Sequence, residues 1–89
     1  MRVITAPSFA RTVKKLHKNQ KADLDTAVRT LVDNPLLGDP KVGDLAGVRV
    51  FKFRMTGQLC LLAYTQPDED TLKLLALGQH ENFYRDIKR

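Results

Sequence analysis

The chain has 89 residues, 43% apolar and 28% charged, and a formal net charge of +5. That balance describes one globular domain, 1–89, not a disordered chain, and it favours a polyanionic partner, either nucleic acid or an acidic protein. No apolar run approaches the roughly 18 residues of a membrane span, and MRVITAPSFARTVKK lacks an apolar core of signal-peptide length, so the expected setting is cytoplasmic with no membrane partner.

Arg2 to Thr5 alternates and is β-branched, which predicts a first strand. Pro7 and Ser8 then open a helix, with Ser8 as the expected N-cap. Phe9, Val13 and Leu16 fall at i, i+4 and i+7 and draw one apolar stripe, while Arg11, Lys14, Lys15 and Lys18 cover the remaining surface. His17 sits among these lysines and is assigned no role. A second helix is expected from near Asn19. Its stripe is Leu24, Ala27, Val28, Leu31 and Val32, and it stops at Asn34-Pro35 because the residue before proline avoids the α region. The two helices make a hairpin.

Pro35 to Gly47, PLLGDPKVGDLAG, reads as a loop with little regular structure, tucked to the core by Leu36, Leu37, Val42 and Leu45. Three strands follow: Val48–Met55, Gln58–Thr65 and Thr71–Leu77. Thr56-Gly57 makes a hairpin turn, and Gln66 to Asp70 the next turn. The last two strands are apolar on both faces and are expected to be central and covered. A short helix is expected from about Asn82. The sum is an α+β domain: an N-terminal strand, a helical hairpin on one sheet face, an antiparallel three-stranded meander and a C-terminal helix.

Strand alternation divides VRVFKFRM into two sets. Arg49, Phe51, Phe53 and Met55 point toward the helices. Val48, Val50, Lys52 and Arg54 point to the opposite, open face. Lys52 and Arg54, two residues apart there, suit a phosphate, although a solvated strand face is the ordinary reading of such charges. The closing GQHENFYRDIKR adds His80, the side chain that exchanges protons near neutral pH with least tuning. Phe83 is expected to close the sheet end. Tyr84 is the better candidate to stack on or hydrogen-bond a base. Glu81 has three readings: general base, clamp for Arg85 or Lys52, or a first-turn helix acid favoured by the dipole.

No glycine-rich nucleotide loop and no serine triad can be argued. Asp68-Glu69-Asp70 reads as a solvated turn, and Cys60, inside QLCLLAY, as a small buried hydrophobe. No cofactor or metal is expected.

The strand, basic helical hairpin, LAGVRVFKFR, LLAY and LLALGQHENFYRDIKR together resemble the RelE/ParE superfamily of bacterial type II toxins, over almost the whole chain. The resemblance implies a small antiparallel sheet with two helices on one face. It also implies an antitoxin partner, acidic in its wrapping segment, and one of two activities. The RelE branch cleaves messenger RNA in the ribosomal A site; the ParE branch poisons DNA gyrase without a nuclease site. The RelE branch is the favoured expectation. Carried over residue by residue, it gives Lys52 and Arg54 charge stabilisation, with Arg85 as a weaker third cation. His80 becomes the general acid, Glu81 or Lys52 the base, and Tyr84 the residue that orients a nucleotide. One position departs. Where the family carries an arginine after the Thr56-Gly57 turn, this chain has Leu59 or Cys60.

Overall fold

In a computed structural model, which describes residues 1–79 and Phe83, the chain forms a five-stranded sheet with two helices on one face. The elements are β1 (Arg2–Thr5), α1 (Pro7–Lys14), α2 (Lys18–Asp33), β2 (Asp39–Pro40), β3 (Arg49–Met55), β4 (Gln58–Asp68) and β5 (Thr71–Gly78). The strand order is β1-β5-β4-β3-β2, with β1 parallel to β5 and the other pairs antiparallel. Of the expected C-terminal helix, only Phe83 is described, and it is helical.

The helical hairpin follows its apolar periodicity. Phe9, Leu24, Ala27 and Leu31 are buried, and Val13, Leu16, Val28 and Val32 pack partly buried against the same core. Met55, Cys60, Leu62, Tyr64, Leu72, Leu74 and Leu77 supply the sheet side of that core. β4 and β5 are covered on both faces, as their continuous apolar character predicts. The second face carries a smaller cluster of Val50, Leu61, Ala63, Ala76 and Phe83.

Ser8 is not the N-cap of α1. That position belongs to Ala6, and the Ser8 hydroxyl instead donates to the carbonyl of Leu75 (2.8 Å). The reason lies across the sheet. Tyr64 pairs with Leu74 while Ala63 pairs with Ala76, so Leu75 is an extra, bulged residue whose carbonyl is available to a side chain. Pro67, which has no N–H for the ladder, marks a second irregularity, and β4 runs on to Asp68 where a turn was expected from Gln66. His17, assigned no role from sequence, occupies the N-cap of α2. Its backbone N–H donates to Gln20 Oε1 (2.8 Å), one arm of a capping box.

The loop over 35–47 departs most from expectation. It contains β2 and a single 3-10 turn at Gly43–Leu45. Leu36, Leu37 and Val42 do not tuck inward: they are 65%, 45% and 86% exposed. Polar bonds hold the loop instead. The Tyr64 hydroxyl donates to the Pro35 carbonyl (2.7 Å) and accepts from the Gly38 N–H (2.8 Å). Arg49 Nη1 donates to the carbonyls of Leu36 (3.1 Å) and Gly38 (2.8 Å). Satisfying buried backbone groups outweighs burying three aliphatic side chains there, because an unpaired buried carbonyl or N–H costs about 1–3 kcal/mol.

Candidate functional site

The β3–β4 hairpin fixes what the open sheet face displays. Thr56 and Gly57 both have positive φ (49° and 85°), the signature of a tight two-residue hairpin turn whose twist matches the strands. Asp23 of α2 braces the turn by accepting the Thr56 N–H at Oδ2 (2.7 Å). The resulting register pairs Val50 with Ala63, Lys52 with Leu61 and Arg54 with Leu59. Directly opposed residues share a face, so Lys52, Arg54, Leu59, Leu61 and Ala63 lie together on the face away from the helices.

The alternation read from VRVFKFRM is therefore the observed one. Phe51 and Phe53 pack against the helix-side core, their rings stacked with centroids 6.2 Å apart. Lys52 and Arg54 are both exposed, but they differ in freedom. Among the described residues the Lys52 side chain has no hydrogen-bond or ion-pair partner, which leaves its ammonium available to the open face. Arg54 Nη1 donates to the Gly57 carbonyl (3.1 Å), so one arm of its guanidinium is committed to the hairpin turn. Arg54 also lines a groove of about 200 Å³ with Phe51, Phe53, Asp23 and Thr26 at the sheet edge.

The same register decides which residue stands in the departed arginine position. Cys60 is on the helix face and buried, with its thiol pushed above the ordinary range by burial, an effect partly offset by a hydrogen bond to Gln79. It offers no nucleophile to the open face. Leu59, 49% exposed and opposite Arg54, is the residue that the open face presents just after the turn.

Leu61 pairs on its other side with Gly78. Lys52, Leu61 and Gly78 thus form one row across β3, β4 and β5, and Gly78 Cα lies about 10 Å from Lys52 Cα at ordinary strand spacing. Gly78 leaves little room above it: a Cβ there would stand 3.1 Å from the Phe83 Cβ, so Phe83 would have to give by a few tenths of an ångström. Phe83, 2% exposed, covers the apolar part of this face. It closes the sheet end as expected, but from the side opposite the helices. Gln79 follows, its side-chain N–H donating to Gln58 Oε1. His80, Glu81, Tyr84 and Arg85 lie outside the described residues.

Asp68 is committed to its turn. Oδ1 accepts the Asp70 N–H (2.9 Å) and Oδ2 accepts the Thr71 hydroxyl (3.1 Å). Those bonds, the Asp70 N–H foremost, hold its carboxyl below the usual carboxylate range. Among the described residues no cluster of His, Cys, Asp and Glu has the makings of a metal site. No helix among them is long and apolar enough to cross a membrane.

The fold has solved counterparts. The toxin–antitoxin complex of E. coli RelBE contains a chain that superposes with a TM-score of 0.71 at 17% identity, covering 90% of this chain and 96% of that one. Isolated E. coli RelE superposes at 0.69 and 17% identity, over 99% of this chain and 96% of that one. A mutant of E. coli RelE in complex with an antitoxin RelB peptide gives 0.69 and 17%, over 90% and 83%. No curated protein sequence matches the chain. The two-helix, five-stranded architecture is thus that of RelE. A family model for the ParE-like toxin of type II bacterial toxin–antitoxin systems matches residues 3–88. With the architecture and the family pattern in agreement over nearly its whole length, the chain belongs to the ParE-like toxins of type II toxin–antitoxin systems, within the RelE/ParE superfamily.

Proposed function

We propose that this toxin is a ribosome-dependent, metal-independent mRNA endonuclease working in the cytoplasm. The observation that carries the reading is the Lys52 ammonium, exposed on the open sheet face and without a partner among the described residues, in one row with the strand end that leads to His80. RNA supplies its own nucleophile. The ribose 2′-oxygen attacks the adjacent phosphorus, the P–O5′ bond breaks, and a 2′,3′-cyclic phosphate and a free 5′-hydroxyl result. A base accepts the 2′-OH proton and an acid protonates the departing O5′. Cations stabilise the charge gathered on the phosphoryl oxygens.

In this reading Lys52 carries most of that charge stabilisation, Arg54 contributes its uncommitted guanidinium arm, and Arg85 is a third, weaker cation. His80 is the acid, Glu81 or Lys52 the base, and Tyr84 stacks on or orients a nucleotide. The messenger in the ribosomal A site is the substrate. Leu59 makes the site poorer in cations than the family pattern, so cleavage depends on the ribosome to align the messenger. The partner in the resting state is a cognate antitoxin with an acidic wrapping segment, in keeping with the RelB complexes of the structural relatives.

A second reading, inhibition of DNA gyrase without catalysis, draws on a specific observation. Leu59, 49% exposed and opposite Arg54, puts an apolar side chain on the open face where the family pattern has a cation, which suits contact with a protein surface better than with a phosphate. Primer extension on cellular transcripts after brief induction separates the two. Codon-phased cuts bearing cyclic phosphate ends support the nuclease; intact transcripts together with DNA breaks overturn it.

A further inference from the structure

Among the described residues the sheet has two free edges, and they differ in character. At one end, β2 covers β3 only at Arg49 and Val50. The Lys41 N–H donates to the Val48 carbonyl (2.9 Å), so alternation turns the backbone groups of Val50, Lys52 and Arg54 to that same outer side. Beyond Val50 no described strand pairs with them, and the edge carries two exposed cations, Lys52 and Arg54. A second copy pairing there about a two-fold axis at Lys52, Phe53 or Arg54 would set cation against cation, which is destabilising. Charge guards this edge against another copy of the chain.

The other edge is β1. Its four residues are all exposed, and they include the apolar Val3 (41%) and Ile4 (42%), with Met1 (48%) ahead of them. The Arg2 N–H donates to the Asp70 carbonyl (2.6 Å) and the Ala6 N–H to the Leu74 carbonyl (2.8 Å). Even-numbered residues therefore face β5, and the N–H and C=O groups of Val3 and Thr5 point to the free side. The α1 helix turns back over β5, where Ser8 donates to the Leu75 carbonyl, and so leaves that side clear.

We propose that the free edge of β1 is a homodimer interface, where β1 of a second copy pairs antiparallel about a two-fold axis at Ile4. In this register Val3 exchanges both backbone hydrogen bonds with Thr5 of the second copy, and Thr5 does so with its Val3. Ile4 faces Ile4 of the second copy at the closely spaced, non-hydrogen-bonded position, and Arg2 falls opposite Ala6. No charge meets a charge. Of the registers that the symmetry allows, this one alone pairs Val3 and Thr5 of both copies within the strands. A second copy fits this edge better than an acidic segment does. The edge presents an apolar pair and a single cation, Arg2, whose guanidinium is turned to the Thr71 hydroxyl (3.4 Å). The pairing joins the two five-stranded sheets edge to edge and leaves both Lys52 faces on the same side. Four strand residues per copy make a contact below the roughly 1,200 Å² of stable complexes, and each copy carries +5, so the dimer forms at high concentration and is favoured by salt.

Sedimentation equilibrium of the full chain in about 0.3 M salt, where repulsion between copies is screened, gives the first test. The mass is expected to rise from one chain toward two as concentration increases. Ile4→Lys sets two ammonium groups directly opposite and should weaken association about ten-fold or more, with an unchanged thermal melt because the side chain is exposed. A disulfide reads the register. Two copies of Ile4→Cys would have their Cα atoms about 4.5 Å apart, inside the disulfide range of about 4.4–6.8 Å. Val3→Cys would stand diagonal to its mate, roughly 7–8 Å away. Ile4→Cys should therefore link into dimers at least about ten-fold faster than Val3→Cys under mild oxidation, while the buried Cys60 gives wild type no link. A wild type that stays monomeric at every concentration overturns the proposal. So does an Ile4→Lys variant that dimerises as wild type does, or equal linking rates at the two positions. A monomeric wild type whose Ile4→Lys variant loses antitoxin binding also overturns it and gives the edge to the antitoxin. None of these outcomes depends on the nuclease reading.

Discussion

Tyr64 and Gly38, 26 residues apart, are fitted to one another: the Gly38 N–H donates to the Tyr64 hydroxyl at 2.8 Å. A Cβ on Gly38 would lie 2.7 Å from both Cε1 and the hydroxyl oxygen of that ring. The same hydroxyl donates to the Pro35 carbonyl, so one buried tyrosine ties the loop to β4 at two points. Tyr64→Phe should therefore cost about 1–3 kcal/mol in urea unfolding, because it leaves a donor and an acceptor unpaired. Gly38→Ala should cost about 1–3 kcal/mol by overpacking. Burial raises the Tyr64 hydroxyl pKa, a rise only partly opposed by the Gly38 N–H and by Arg49. The folded protein thus holds the proton more tightly than the unfolded chain. That contribution is complete below the ordinary tyrosine value of about 10 and is lost as pH rises through the folded value. Tyr64→Phe should flatten the alkaline limb of the stability profile.

Thr56 is a β-branched residue at φ 49°, where Asn or Gly is at ease. Thr56→Asn should stabilise the protein by about 1 kcal/mol, read as a higher urea midpoint at unchanged slope. Asp23→Ala should do the opposite by about 1 kcal/mol, since it removes the carboxylate that receives the Thr56 N–H. An unstable Thr56→Asn variant would mean that the Thr56 hydroxyl bond to the Met55 carbonyl matters more than the backbone strain.

Phe83 covers the second sheet face, and Phe83→Ala should cost about 3–5 kcal/mol. Gly78→Ala alone should cost about 1–3 kcal/mol through its 3.1 Å approach to Phe83. The gentler Phe83→Leu background makes the contact measurable: there the cost of Gly78→Ala should shrink. Additive costs would show that the two sites do not touch.

Lys52 is exposed and its side chain has no partner among the described residues, so Lys52→Ala should change stability by no more than about 0.5 kcal/mol. On the nuclease reading, messenger cleavage by this variant should fall by about 10²-fold or more. His80→Ala should abolish cleavage while antitoxin binding is retained. A fully toxic His80→Ala would remove that residue from the acid role.

Asp68 has its carboxyl held below the ordinary value by the Asp70 N–H and the Thr71 hydroxyl. The folded state binds that proton less readily than the unfolded chain. The resulting stabilisation is present above the unfolded value of about 4 and is lost as pH falls through the folded value. Asp68→Asn should give a shallower acid limb in thermal melts. An unchanged limb would assign acid sensitivity to other carboxylates.

Much of this molecule was legible along the chain because it rests on local periodicity. The stripes of Phe9, Val13 and Leu16, and of Leu24, Ala27 and Leu31, set the helical hairpin. The alternation of Val50, Lys52 and Arg54 with Phe51 and Phe53 set the two faces of β3, and Thr56-Gly57 set the hairpin. Each signal depends on residues a few positions apart, where backbone geometry alone decides which side chains share a face. What only the tertiary structure decided involves partners distant in sequence. Ser8 caps a bulged carbonyl at Leu75 instead of its own helix. The loop leucines face outward because Tyr64 and Arg49 satisfy the loop backbone. Leu59, not Cys60, stands on the open face because pairing with Arg54 fixes the register. Phe83 closes the face opposite the helices. None of these follows from pattern, since each is settled by which backbone groups and side chains meet across the sheet and must be hydrogen-bonded or packed there.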